Sequence, residues 1–179
     1  MQKVKFFAFT ILLLWGITGC KSQSNIQPQE VQPLEEINTP AGCPITDSKS
    51  TTFKAPAPYT PDAPFPNEFW FGTEHLWTVL PENGIWANLP HNSEGYTQKI
   101  AWWSSLFSVE DEPEPDLVVF GERLDAIAPP LKVSRATNAT AEDIGSVMMV
   151  GVDFPTTGCW KITGQYKKAE LTFVLQISQ

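Results

Sequence analysis

The sequence predicts an all-β fold, an antiparallel β-sandwich, from three observations. After the first twenty residues no window keeps the i, i+3, i+4 apolar spacing of an amphipathic helix for three turns. Short runs rich in β-branched and aromatic residues alternate instead with turn clusters, punctuated by sixteen prolines and eleven glycines. The length, 179 residues, is that of one domain. Twelve basic against twenty acidic side chains leave a net charge of −8, which weighs against nucleic acid as a partner because its binding needs a basic footprint.

Residues 1–19 read as an export signal. Lys3 and Lys5 form a basic start, residues 6–17 are a nearly unbroken apolar stretch, and that stretch is too short to span a bilayer as a mature helix. It closes on Ile17-Thr18-Gly19-Cys20, which resembles the lipobox of bacterial lipoproteins. The resemblance implies cleavage before Cys20, diacylglycerol on its thiol and usually an acyl chain, such as palmitate, on its amine. At about 0.8 kcal/mol per buried CH₂, two or three chains hold a protein durably to a membrane. An ordinary secretory signal with an incidental cysteine is the alternative. Lys21 rather than Asp follows Cys20, as in lipoproteins sent to the outer membrane where a cell has two membranes. The expected address is the bacterial cell envelope, outside the cytoplasm, on the periplasmic face of the outer membrane in such a cell.

Residues 20–42 comprise the lipidated cysteine and a stretch of Ser, Gln, Asn, Glu and Pro with few apolar side chains. Such a segment cannot bury enough surface to offset the entropy of ordering, so it reads as a disordered tether. Residues 43–74 form a Pro-rich arm, with five prolines in residues 56–66 interleaved with Tyr59 and Phe65, expected to pack on the domain. The sandwich itself is expected over 75–179. Its predicted strands are 75–80, 85–89, 99–107, 117–124, 131–134, 146–154, 159–165 and 170–177, a spacing typical of sandwiches.

The first two strands are separated by Pro81-Glu82-Asn83-Gly84, and Asn-Gly accepts the positive φ of a tight hairpin turn, so they are expected to pair antiparallel. Trp77 and Val79 would then share a face with Trp86, opposite Leu76, Leu80, Ile85 and Leu89. Trp102 and Trp103 must likewise point to opposite sides, because side chains alternate along a strand. The four tryptophans Trp77, Trp86, Trp102 and Trp103 therefore exceed what one core face can take and form the candidate binding surface. Either the arm covers the surplus face with Tyr59, Phe65, Phe69, Trp70 and Phe71, which is the preferred reading, or the tryptophans form an exposed patch for a glycan or a protein.

Near the C-terminus, Phe154-Pro155-Thr156-Thr157-Gly158-Cys159-Trp160-Lys161-Ile162 resembles the corner before the penultimate strand of immunoglobulin-like domains, with Trp160 where Tyr is usual. The resemblance implies an immunoglobulin-like topology. Trp160, Ile162 and Tyr166 would share one face, Leu171, Phe173, Leu175 and Ile177 would line the inner face of the closing strand, and Lys167-Lys168 would make the turn. Two cysteines remain beyond Cys20, namely Cys43 and Cys159, and in an exported chain they most simply pair; two buried free thiols are the alternative. Across 43–179 the chain also resembles a group of uncharacterised bacterial secreted or lipid-anchored proteins. The residues that carry this likeness are Cys43-Pro44-Ile45-Thr46, then Leu76-Trp77-Thr78-Val79-Leu80-Pro81-Glu82-Asn83-Gly84-Ile85-Trp86, then Gly158-Cys159-Trp160-Lys161-Ile162-Thr163-Gly164. The likeness supports the Cys43–Cys159 bridge and brings no activity with it.

Candidates for chemistry are sparse. Glu110, Asp111, Glu112, Glu114 and Asp116 invite a calcium reading, but the loop lacks the spacing and glycine of an EF-hand and reads better as a solvated connection. No zinc spacing joins His75 or His91 to a cysteine, and neither a metal nor a cofactor is expected. Asn138-Ala139-Thr140 fits a glycosylation sequon that a bacterial cell generally leaves unmodified. The leading expectation is a non-catalytic interaction module, presented on its tether to an envelope protein. Carbohydrate or small-ligand binding through aromatic side chains is the alternative. A hydrolase assembled from Glu74, His75, His91 and Asp153 comes last, since no nucleophile elbow or other catalytic motif accompanies them.

Overall fold

The computed structural model describes residues 42–59, 62–142 and 144–179, so the leader, Cys20 and the tether up to residue 41 lie outside the described residues. The described residues belong to one unit, Ile37–Gln179. Their regular elements are all strands: β1 Glu68–Gly72, β2 Trp77–Pro81, β3 Ile85–Ala87, β4 His91–Asn92, β5 Gly95–Trp103, β6 Val118–Arg123, β7 Lys132–Val133, β8 Thr137–Ala141, β9 Gly145–Phe154, β10 Gly158–Tyr166 and β11 Ala169–Ser178. One sheet runs β1-β2-β5-β9-β7, with β4 added to β5 and β8 to β9; the other runs β3-β11-β10-β6. The fold is an all-β sandwich.

Alternation along each strand sends every second side chain between the sheets. Leu80, Ile100, Trp102, Val150 and Phe154 from the first sheet meet Trp160, Ile162, Phe173 and Leu175 from the second in one buried cluster. Each such side chain contributes about 1.5–3 kcal/mol by leaving water. The closing hairpin is as expected: Trp160, Ile162, Tyr166, Leu171, Phe173, Leu175 and Ile177 all enter this interior, and Lys167-Lys168 turns the chain between Tyr166 and Ala169. Cys43 is disulfide-bonded to Cys159 at the start of β10, with their Cα atoms 5.7 Å apart across a sequence separation of 116.

The expected hairpin of 75–80 with 85–89 does not form. Asn83-Gly84 does make a turn, with the Gly84 amide donating to the Pro81 carbonyl at 2.8 Å and the Ile85 amide to Asn83 Oδ1 at 3.0 Å. The chain then crosses to the other sheet, where β3 lies parallel to β11. The cause lies in a segment remote in sequence. Gly84 is seated so closely on Ile45 that a Cβ would collide with it, its carbonyl accepts from the Gln176 amide at 3.0 Å, and the Thr46 amide donates to the Val174 carbonyl at 2.8 Å. The face assignment changes accordingly: Trp86 joins Leu76 and Leu80 in the interior, while Trp77 and Val79 point outward from the first sheet.

The sandwich also begins earlier than expected. Glu68–Gly72, assigned from sequence to the arm, pairs antiparallel with β2 over its whole length. Thr137–Ala141, which has no bulky apolar residue to mark it, pairs with β9. The outer face of the first sheet carries the second buried cluster, in which Trp70, Trp77, Trp103 and Val147 are covered by Phe53, Ala55, Tyr59 and Ala63 of the arm. Tyr59 sits edge-on to three indoles, with ring centroids 5.8 Å from Trp70, 5.8 Å from Trp77 and 6.4 Å from Trp103. Phe69 and Phe71, expected in the cover, alternate inward against the main interior, and Phe65 is 43% exposed.

A candidate binding cleft where the first sheet opens

β2 and β5 pair only at Trp77 with Trp103 and Thr78 with Trp102. Beyond that point β2 leaves for the strand crossing while β5 continues along β9, and the gap between them is a cleft of about 670 Å³. Ala101, Met149 and Gly151 line it on the outer face, Val79 and Glu68 border it from β2 and β1, and it reaches inward to Ile100 and Trp86. The β5 backbone beside the gap is partly satisfied by nearby side chains. Thr78 Oγ1 donates to the Ala101 carbonyl at 2.7 Å, and the Lys99 amide donates to Gln98 Oε1 at 3.0 Å. Such capping disfavours an added strand and leaves room for a small molecule.

Glu68 and Trp86 border the cleft, and among the described residues Glu68 Oε2 and Trp86 Nε1 are buried without a hydrogen-bond partner, though neither atom faces the open space. Burial pushes the Glu68 carboxyl above the usual carboxylate range. Trp86 is 7% exposed. Trp77 and Trp102 also have unpartnered indole N–H groups, but those rings sit inside the packed clusters and do not line the cleft. By contrast, Trp70 donates to the Asp62 carbonyl at 3.0 Å, Trp103 to that of Ile144 at 2.8 Å and Trp160 to that of Thr156 at 3.0 Å.

The candidate binding surface of four tryptophans is not exposed, and the preferred reading of a covered face describes Trp77 and Trp103. Trp77, Trp102 and Trp103 are at most 1% exposed and Trp86 is 7%, so none offers a face to solvent for stacking on a glycan. The arm covers Trp77 and Trp103, and the second sheet covers Trp102. Nor are the residues of the hydrolase reading brought together. His75 lies beside Ser105, with Nδ1 3.3 Å from its Oγ, just past one end of β5, whereas His91 meets Tyr96 edge to face near the other end. At ~3.3 Å per residue the two histidines are separated by about 25 Å. Asp153 lies on the His91 side, accepting from Asn92 at 3.0 Å.

In the acidic loop, Glu112 Oε2 accepts from the Tyr166 hydroxyl at 2.5 Å, Oε1 accepts from the Asp116 amide at 2.7 Å, and Lys167 Nζ lies 3.4 Å away. Burial raises the Glu112 carboxyl, and these three donors more than reverse it, leaving it below its ordinary value. Glu114 pairs with Arg135 at 2.5 Å. Among the described residues no group of three His, Cys, Asp or Glu side chains is placed to hold a metal, and no helix is long and apolar enough to cross a membrane.

Glu68 is the residue that sequence reasoning missed. Its signal was present: two positions before Trp70, it shares that residue's face if 68–72 is a strand, which places an acid among tryptophans. Comparison of the chain with protein-family models, with curated proteins and with solved structures finds no match.

Proposed function

We propose that this chain is a lipid-anchored, extracytoplasmic binding protein that takes a small ligand in the cleft between β2 and β5. One observation carries the reading: the cleft is roomy enough for a small molecule and lined largely by carbon, with a few polar side chains, Glu68, Gln98 and Asn138 among them, at its border. The anchor is supported by the Ile17-Thr18-Gly19-Cys20 motif and the polar tether after it. An immunoglobulin-like topology is supported by the Gly158 to Trp160 corner opening β10 and by the crossing of the chain from one sheet to the other between β2 and β3. Kinship with the secreted and lipid-anchored group is supported by the meeting of its three motifs, since Cys43 is bonded to Cys159 and Ile45 seats Gly84.

A second reading, docking of an envelope protein, draws on Val118 and Phe120. These are 53% and 47% exposed on β6, the edge strand of the second sheet. Native mass spectrometry of protein released gently from the envelope tests the first reading. A small molecule bound to the wild type and lost on Met149→Trp, which fills the cleft, is expected. Photocrosslinking in cells from Phe65 at the cleft rim and from Phe120 separates the two. Bare protein in the spectrum, with one recurrent protein captured from Phe120, would move the function to the second sheet.

A further inference from the structure

We propose that the loop between β6 and β7 is a second membrane contact, in which Ile127 and its apolar neighbours insert into the surface of the bilayer that holds the lipid on Cys20. This rests on the anchor proposed above and is independent of the cleft. Within residues 124–131 Asp125 carries the one charge. Leu124 is 43% exposed, Ile127 wholly so, and Ala126, Pro129 and Pro130 are exposed beside them. Asp125 does not share that exposure. Its carboxylate accepts from Arg123 Nε at 2.6 Å and from the Cys159 amide, with 9% of the side chain open to water. The loop is also fixed in place: the Leu124 amide donates to the Cys159 carbonyl at 2.7 Å, Ala128 packs against the interior, and Leu131 is buried. An isoleucine held in water by a pinned backbone forfeits the burial that most isoleucines gain. Pro129 and Pro130 lack N–H groups, so the tip has fewer backbone donors to strip of water on entering an apolar medium.

The place of the loop names its occupant. The chain coming from Cys20 enters the described fold at Cys43, which is bonded to Cys159, and Cys159 holds Leu124 through its carbonyl and Asp125 through its amide. The segment that carries the anchor therefore arrives beside the loop. Stretched out, residues 21–42 reach at most ~80 Å. That reach keeps the loop at an effective concentration on the order of millimolar against the bilayer, where shallow insertion of one or two aliphatic side chains suffices to orient the domain. A protein partner is served less well. With Asp125 already paired, the exposed tip presents no charged or hydrogen-bonding side chain to fix a partner's geometry.

The test uses the chain purified from membranes, with one nitrobenzoxadiazole fluorophore attached at Ala126→Cys or, separately, at Lys168→Cys. Each is added to phosphatidylcholine vesicles whose acyl chains carry a spin-label quencher. Lys168 is exposed and lies past the far end of β10, over ~20 Å from Cys159 along the strand. The chain is expected to float with the vesicles, and the probe at Ala126 to be quenched several-fold more than the probe at Lys168. Ile127→Ser should lower the inserted-to-free ratio read at Ala126 roughly tenfold, the effect of removing one apolar side chain from a bilayer. A chain that floats but is quenched equally at both positions, or at neither, overturns the loop contact and leaves the anchor. A chain that does not float overturns the anchor and the loop contact with it. A photocrosslinker at Ile127 that captures one recurrent protein or a second copy of the chain in cells, with no quenching in vesicles, gives the loop to protein contact and overturns the proposal.

Discussion

Gly164 of β10 lies against the indole of Trp102 of β5, so close that a Cβ on the glycine would stand 2.5 Å from Cη2 and Cζ3 of the ring. Trp102 is fully buried and also packs on Phe173, with centroids 5.7 Å apart, so the ring cannot swing away cheaply. The two sheets touch here through backbone on one side and an aromatic plane on the other. Gly164→Ala should therefore destabilise the fold by about 1–3 kcal/mol, the usual cost of overpacking. Urea unfolding checks this, and Gly164→Ala combined with Trp102→Phe should lose less than the sum of the two single changes.

Tyr59 is the centre of the cover over the outer face, and its ring meets three indoles at once. Tyr59→Ala removes a half-buried aromatic and should cost about 2 kcal/mol, below the range for a fully buried ring. The specific consequence is optical. Trp70, Trp77 and Trp103, at most 4% exposed, should become accessible to acrylamide in the variant, whereas the wild type should show little quenching from these three. Easy quenching of Trp103 in the wild type would mean that the arm does not stay on the sheet.

The interior was legible in the sequence wherever alternation and local turn chemistry agree. Trp102 and Trp103 had to point apart, and they do; the residues from Trp160 to Ile177 alternate as written, because a two-residue turn fixes their register locally. The failures share one physical cause, which is that the deciding contact is distant in sequence. Asn83-Gly84 is a sound turn signal, but whether the strands beside it pair is settled by Ile45 and Gln176. Phe69-Trp70-Phe71 reads as an aromatic lid when detached and as a strand only once β2 lies beside it. The cleft was invisible for the same reason: it exists because β2 departs from β5 beyond Thr78, and nothing local to either strand marks that departure.

The Cys43–Cys159 bond ties the start of the arm to the penultimate strand. Cys43→Ser with Cys159→Ser should lower stability by on the order of 4–5 kcal/mol in the chain-entropy view, or somewhat less if the reduced chain retains structure. Reduction by dithiothreitol should reproduce the loss in the wild type and leave the double variant unchanged. Because Thr46 and Ile45 are held beside Val174 and Gly84, amide exchange in the variant should rise first in β3 and the facing residues of β11.

Two carboxyls should give stability opposite dependences on pH. Asp125 receives Arg123 Nε at 2.6 Å, and that bond, opposed by burial and helped by the Cys159 amide, holds its carboxyl below the ordinary value. A depressed value means that the unfolded chain binds the proton more readily, so the stabilisation is complete above the unfolded value and is lost as pH falls through the folded one. Asp125→Asn should therefore cost about 1 kcal/mol at neutral pH, and the difference should close in acid. Glu68 has the reverse sign. Burial raises its carboxyl, so the folded chain keeps the proton longer, and stability is complete below the unfolded value and declines as pH rises through the folded one. Glu68→Gln should match the wild type in acid and exceed it at neutral pH. Urea midpoints of the wild type and both variants over a pH series give two difference curves, which should diverge in opposite directions as the pH rises from acid. A Glu68→Gln curve that follows that of Asp125→Asn would mean that Glu68 has a partner in solution.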